Sequence, residues 1–168
     1  MAYRGDFDLN SHEQSSGKDL KYTDSETNEK FLPHVIEPSF GVDRTFLAVL
    51  LSAYVEEEVE GDKRVVLRLP KHLAPVKIAI LPLSKKEELI AVSLPLAQTL
   101  TKHWRVDHSA SQSIGKRYRQ QDEIGTPFCV TVDFETLTDN AVTVRDRDTM
   151  KQERIAIADL ENYFVNKL

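Results

Sequence analysis

The stretch Ser113-Ile114-Gly115-Lys116-Arg117-Tyr118-Arg119-Gln120-Gln121-Asp122-Glu123-Ile124-Gly125-Thr126-Pro127-Phe128-Cys129-Val130-Thr131-Val132 decides the fold. Ser113–Glu123 reads as a helix with a basic cluster, Gly125 as its stop, and Phe128–Val132 as a strand. A second β-like run, Ala141–Arg145, follows the turn Asp139-Asn140, so this pair forms a hairpin. Working outward, Arg64–Leu69 and Lys77–Leu81 read as strands, the latter stopped by Pro82. Lys85–Lys102 is helical in composition, and Pro95 is expected to kink it or split it in two. Trp104–Val106 reads as a short strand, Glu153–Ile157 as a last strand, and Asp159–Lys167 as a C-terminal helix. Strands interleaved with helices place the chain in the α/β class (α+β overall), with a mixed sheet because one pair is a hairpin.

Toward the N-terminus the pattern changes. Tyr3–Leu9 alternates partly and reads as a strand, while Lys18–Thr23 and Lys30–Glu37 flank the turn-like Asp24–Glu29 as a hairpin. Pro33 and Pro38 confine that hairpin to an edge or to strand ends. Val42, Phe46, Leu47, Val49, Leu50, Ala53 and Tyr54 then recur at helical spacing, with Ser39 ahead as a possible cap and the acidic run Glu56–Glu58 as the end. Gly61-Asp62 marks a turn and a boundary between residues 1–60 and residues 61–168. Charge divides there too. Residues 1–60 hold 5 basic and 13 acidic side chains, a balance of −8; residues 61–168 hold 17 and 14, a balance of +3. The two parts therefore face different electrostatic tasks, although +3 is compatible with an ordinary solvated surface as well as with a polyanion partner.

Composition removes several classes. The chain of 168 residues is 40% hydrophobic and 29% charged, values of a folded globular domain. No apolar run approaches the roughly 18 residues of a spanning helix, and Met1–Asp6 has no apolar signal-peptide core. One cysteine, Cys129, permits neither an internal disulfide nor a cysteine-rich metal site, which together with the missing signal peptide favours the cytoplasm. The five histidines show no ligand spacing, no metal site is expected, and neither Gly-x-x-x-x-Gly-Lys-Ser/Thr nor Gly-x-Gly-x-x-Gly occurs.

Three constellations remain. In Val35-Ile36-Glu37-Pro38-Ser39-Phe40-Gly41-Val42-Asp43-Arg44 a carboxylate and a hydroxyl sit two apart at a strand end and can share a pocket. Arg44 then lies in the first turns of a helix, where it can grip a phosphate. Equally, Ser39 can be a cap and Arg44 a partner of Asp43 or Glu37. In the helix quoted first, Lys116, Arg117 and Arg119 can follow a sugar–phosphate backbone, and Tyr118 can stack on a base for about 1–3 kcal/mol; the plainer reading is a solvated face balanced by Asp122 and Glu123. In Val142–Met150, alternating Arg and Asp suggest a local surface ion-pair network worth under about 1 kcal/mol, with RNA contact by either arginine, Arg145 or Arg147, as the sharper alternative.

Taken together these stretches resemble the C-terminal third of a dimeric class II glycyl-tRNA synthetase. The match rests on Tyr3–Leu9, Val35–Ser39 with Gly41–Arg44, Leu73-Ala74-Pro75, Ile114–Arg119, Asp122–Phe128 and Val142–Met150, in the family's order. The resemblance implies that residues 1–60 are the end of a class II catalytic domain, an antiparallel sheet closing in the motif 3 helix. It implies that residues 61–168 are the anticodon-binding domain, a mixed five-stranded sheet with flanking helices.

By resemblance, Arg44 is the catalytic motif 3 arginine on the ATP phosphates. Arg4, Glu37 and Ser39 are the glycine pocket, with Glu37 also at the ATP site. Lys116, Arg117, Tyr118, Arg119 and Arg145 meet the anticodon. Implied partners are glycine, its tRNA and ATP with Mg2+ in the full enzyme, and a homodimer in the family. Motifs 1 and 2 are not in this sequence, so the 168 residues alone are expected not to form glycyl-adenylate. The alternative is a non-catalytic tRNA-binding or accessory module derived from such a synthetase.

Overall fold

The computed structural model describes residues 1–59 and 61–168. The chain forms two compact units, Met1–Phe46 and Leu47–Leu168.

In the first unit β1 (Ala2–Gly5) pairs antiparallel with β4 (Val35–Glu37), in the register Ala2↔Glu37 and Tyr3↔Ile36. The expected strand Tyr3–Leu9 is corrected. Gly5 turns the chain at φ 58°, and Phe7–Ser16 is a helix, α1, closed by Gly17 in the left-handed region. The alternation of Tyr3, Gly5, Phe7 and Leu9 survives only as far as the glycine, because the left-handed conformation there breaks the extended backbone. β2 (Tyr22–Thr23) and β3 (Lys30–Phe31) form the small hairpin around Asp24, whose carboxylate accepts from the backbone N–H of Glu26 and Thr27. α2 (Val42–Ala53) follows the expected helical spacing, and the division between the units falls inside it. Val42, Phe46, Leu47 and Leu51 on it are exposed.

In the second unit the run Glu56–Glu58 does not close the helix: it lies within a strand, β5 (Tyr54–Val59), paired antiparallel with β6 (Asp62–Leu67). Three consecutive carboxylates are tolerated because cations on the facing strand offset them, Lys63 pairing diagonally with Glu56 at 2.6 Å and Arg64 pairing with Glu57. Glu57 lies opposite Arg64, and Glu58 opposite Lys63.

The main sheet has the order β11-β10-β9-β7-β8, formed by β7 (Ile78–Pro82), β8 (Val106–His108), β9 (Phe128–Val132), β10 (Ala141–Asp146) and β11 (Gln152–Ala156). β7 is parallel to β8 and β9, whereas β9, β10 and β11 are antiparallel, so the sheet is mixed as the sequence predicts. β7 and β9 are buried along their length, with both faces covered. Ile78 and Ile80 of β7, Phe128, Val130 and Val132 of β9, and Val142 and Val144 of β10 pack with α3 (Glu87–Leu100) and α6 (Leu160–Val165). Ala79, Leu81 and Cys129 face the other way, against Ile114 and Tyr118 of α4 (Ile114–Ile124).

α3 runs through Pro95 as one helix; Pro95 and Ala91, the residue whose carbonyl loses its partner, both lie on the exposed side. The turn at Asp139-Asn140 ends a short helix, α5 (Thr136–Asp139), with Asn140 left-handed. α4 stops at Gly125 with φ 81°, and an added Cβ there would lie 2.9 Å from the Leu67 carbonyl oxygen. Only glycine fits that close crossing of α4 and β6.

Candidate functional site

In the first unit, the β1–β4 ladder brings Arg4 and Glu37 together, with Arg4 Nε 3.9 Å from the carboxylate. The guanidinium is already held by Asp8, in the first turn of α1, through Nε at 2.9 Å and Nη2 at 2.9 Å. That pair raises the arginine's pKa and lowers that of Asp8, the side-chain hydrogen bond being the main cause in each. Ser39 and Arg44 are both exposed. Ser39 is not the helix cap: the Gly41 carbonyl accepts the first helical bond, from Thr45 N–H at 3.0 Å, which puts Gly41 at the cap position. Arg44 forms no ion pair with Asp43 or Glu37 within 4.0 Å, and its aliphatic stem lies about Gly41. All four residues are thus solvent-exposed, and of them the structure brings together Arg4 and Glu37.

The second unit corrects the picture of α4. Lys116, Arg117, Tyr118 and Arg119 do not present one cationic face. Lys116 is exposed, Arg119 half-exposed, with Nη1 donating to the Lys63 carbonyl at 2.8 Å. Arg117 is 1% exposed and donates to the carbonyls of Pro82 and Ser109, both at 2.8 Å. Helical spacing explains this: Ile114, Arg117 and Gln121 share the sheet-facing stripe while Lys116 and Glu123 point away.

Arg145 is buried too, because its partner is Asp122 of α4 and not a neighbouring aspartate. Nη1 and Nη2 meet the carboxylate at 2.9 and 3.1 Å, and Arg64 Nε joins the same group at 2.8 Å. Arg64 also donates to Glu57 and to the Arg147 carbonyl. Arg147 reaches the carbonyls of Gly125 and Leu69 and pairs with Asp148. The expected surface ion-pair network is therefore a buried one, tying α4, β6 and β10 together.

Tyr118 stands between these layers. Its ring lies 5.0 Å from the Arg145 guanidinium carbon, its hydroxyl bonds Thr131, and burial raises its pKa. Beside it a cavity of about 230 Å³ opens at the carboxyl ends of β7 and β9, lined by Ile114, Tyr118, Thr131, Asp133, Thr143 and Gln152. The last four escape the sequence reading. Their signal is the pair of threonines breaking two apolar strands, and the register sets Thr131 directly opposite Thr143. An aromatic edge, threonine hydroxyls, a carboxylate and a carboxamide can offer hydrogen bonds to a base edge beside exposed cations. Cys129 is buried under this face, and desolvation pushes its thiol up to about 12, so it is no nucleophile.

An anticodon-binding domain family model matches residues 77–167, which include the whole main sheet and α3, α4 and α6. The chain belongs to the anticodon-binding domain family. Along its whole length it is also 55% identical to a glycine–tRNA ligase of Thermobifida fusca, covering 37% of that protein. It is 53% identical to that of Streptomyces coelicolor, covering 38%. With the ligase of Clostridium beijerinckii it shares 57% over 97% of the chain and 35% of the relative. The chain thus spans under two fifths of the curated relatives it matches. Among solved structures, prolyl-tRNA synthetase of Cryptosporidium parvum complexed with L-proline and AMP superposes with a TM-score of 0.56 at 25% identity, covering 60% of this chain and 22% of that one. The RNA-binding domain of threonyl-tRNA synthetase from the same organism gives 0.54 at 24%, covering 59% and 25%, a likeness of fold. The mixed sheet of the anticodon-binding domain is thereby a shared architecture. No helix among the described residues is long and apolar enough to cross a membrane.

Proposed function

We propose that this chain is the part of a glycine–tRNA ligase that carries the anticodon-binding domain and a portion of the glycine and ATP site. The observation that carries the reading is identity of 55% across all 168 residues, both units included, with a ligase of that activity. The proposed boundary between catalytic remnant and anticodon-binding domain stays near residue 61. In the parent enzyme Arg44 would grip ATP phosphates, Glu37 would take the glycine ammonium and contact ATP, Arg4 would take the glycine carboxylate or the adenylate, and Ser39 would close the pocket. The chemistry would be orientation and phosphate charge stabilisation, with no covalent enzyme intermediate. Mg2+ would enter with ATP. Among the described residues no group of three or more His, Cys, Asp or Glu could hold a metal ion, and no residue of this chain is assigned to it.

For RNA, Lys116, Arg119 and the edge of Tyr118 are the proposed direct contacts. Arg117 and Arg145 are buried, and their proposed role is support behind that surface. The second reading, a non-catalytic tRNA-binding module, draws on one observation: the Arg4 guanidinium is already occupied by Asp8. Glycine-dependent ATP–pyrophosphate exchange separates the parts. None is expected from the 168 residues alone, and measurable exchange would overturn that claim. For the RNA surface, Lys116→Ala should lower the log–log salt slope of stem-loop binding by about one, and an unchanged slope removes Lys116 from the interface.

A further inference from the structure

The N-terminal turn of α4 and the buried side chains behind it carry a second observation. α4 begins at Ile114 with Ser113 extended at the cap position and making no side-chain capping bond, and its first turn holds no acid. The first helical bond runs from Arg117 N–H to the Ser113 carbonyl, so the N–H groups of Ile114, Gly115 and Lys116 lack a helical acceptor. An added Cβ at Gly115 would meet nothing within 4 Å, so the turn is open to an approaching group.

Arg117 is the fourth residue of α4, and a helical side chain leans back toward the N-terminal turn. It is 1% exposed, and among the described residues no carboxylate lies within 4.0 Å of it. Its guanidinium ties the last residue of β7 to the segment after β8, through the Pro82 and Ser109 carbonyls. Its Nε has no hydrogen-bond partner, and neither does the buried Oγ of Ser84 in the segment after β7. A buried charge without a counter-ion, its own Nε unpaired, is costly unless something of opposite charge completes it. The place also fits. α3 follows β7 onto one face and α4 follows β8 onto the other, and α/β sheets bind ligands outside the carboxyl ends of strands where connections part in this way.

We propose that the N-terminal turn of α4, backed by Arg117 and Ser84, is a phosphate subsite, and that it takes a phosphodiester of the RNA bound under the reading above, on which this assignment rests. Backbone N–H groups, the helix dipole and the exposed Lys116 ammonium then act on one anion, with the buried guanidinium adding its field.

The test is an amide NMR titration of the full chain with inorganic phosphate, then with a glycine tRNA anticodon stem-loop. Phosphate should give saturable shifts confined to Ser84 and Ser113–Lys116. Gly115→Asp places a carboxylate in the open turn, which favours the helix but repels an anion. It should leave the unfolding midpoint equal or higher and weaken phosphate about tenfold or more, while Gly115→Ala keeps binding. Ser84→Ala, away from the helix, should weaken phosphate severalfold. Shifts that are absent, scattered, or unchanged in Gly115→Asp overturn the subsite. If RNA binds without moving these amides while phosphate does, the site serves free phosphate and its RNA assignment fails. A stem-loop that does not bind at all refutes the RNA reading and leaves the phosphate result standing.

Discussion

Replacing Asp122 by alanine should cost the second unit more than any other single change of a charged residue. The carboxylate is 1% exposed and accepts three hydrogen bonds from two guanidinium groups, at 2.8, 2.9 and 3.1 Å. Arg64 keeps Glu57 and the Arg147 carbonyl afterwards, but Arg145 loses both of its hydrogen bonds while remaining in the core. Removing one partner of a buried ion pair costs about 3–5 kcal/mol, since the other charge stays desolvated. At a urea dependence of about 2 kcal/mol/M, the midpoint should fall by about 2 M. Trp104, the single tryptophan, packs against Phe164 in the main core and reports this unit by fluorescence. The exposed neighbour Glu123→Ala is the control. In the Asp122→Ala background, Arg145→Met should cost little more, or recover stability, because the stranded charge is gone. A fall of less than about 0.5 M, or one equal to the control, refutes the assignment of Asp122 as the keystone.

Other consequences are as direct. Gly125→Ala should destabilise by about 1–2 kcal/mol from the left-handed backbone alone, and by more from the crowding against Leu67; an unchanged melting temperature contradicts it. Burial lowers the pKa of His108, with Arg117 adding to the effect and Asp107 opposing it, so this ring binds its proton more weakly folded than unfolded. Its contribution to stability is present above the ordinary value of 6.5 and is lost as pH falls through the folded value. An NMR titration of the ring with a midpoint at or above 6.5 would count against this. Cys129, with its thiol pushed up to about 12, should resist alkylation at neutral pH until urea unfolds the chain, and rapid native labelling contradicts its placement.

What the sequence discloses and what it hides divide along physical lines. The helix Ile114–Ile124, its glycine stop and the strand that follows are legible because periodicity and a left-handed glycine are local properties. The strand through Glu56–Glu58 is hidden, since its acids are tolerated only by partners across a hairpin. Burial of Arg117, Arg145 and Asp122 is hidden for the same reason. Charged residues are rarely interior, and their partners lie 23 to 58 positions away or are backbone carbonyls. The site residues follow suit. Arg4 and Glu37 meet as an antiparallel pair of strands allows, whereas Thr131, Asp133, Thr143 and Gln152 become neighbours only once the register of β9, β10 and β11 is fixed.

The claim that this chain reads an anticodon is tested most directly by binding it to the anticodon stem-loop of a glycine tRNA and to the same loop with its anticodon exchanged, each at two salt concentrations. The account predicts tighter binding to the glycine loop, with both affinities falling as salt rises and the preference retained. Equal affinities that fall together with salt would contradict it, leaving only charge attraction without a code.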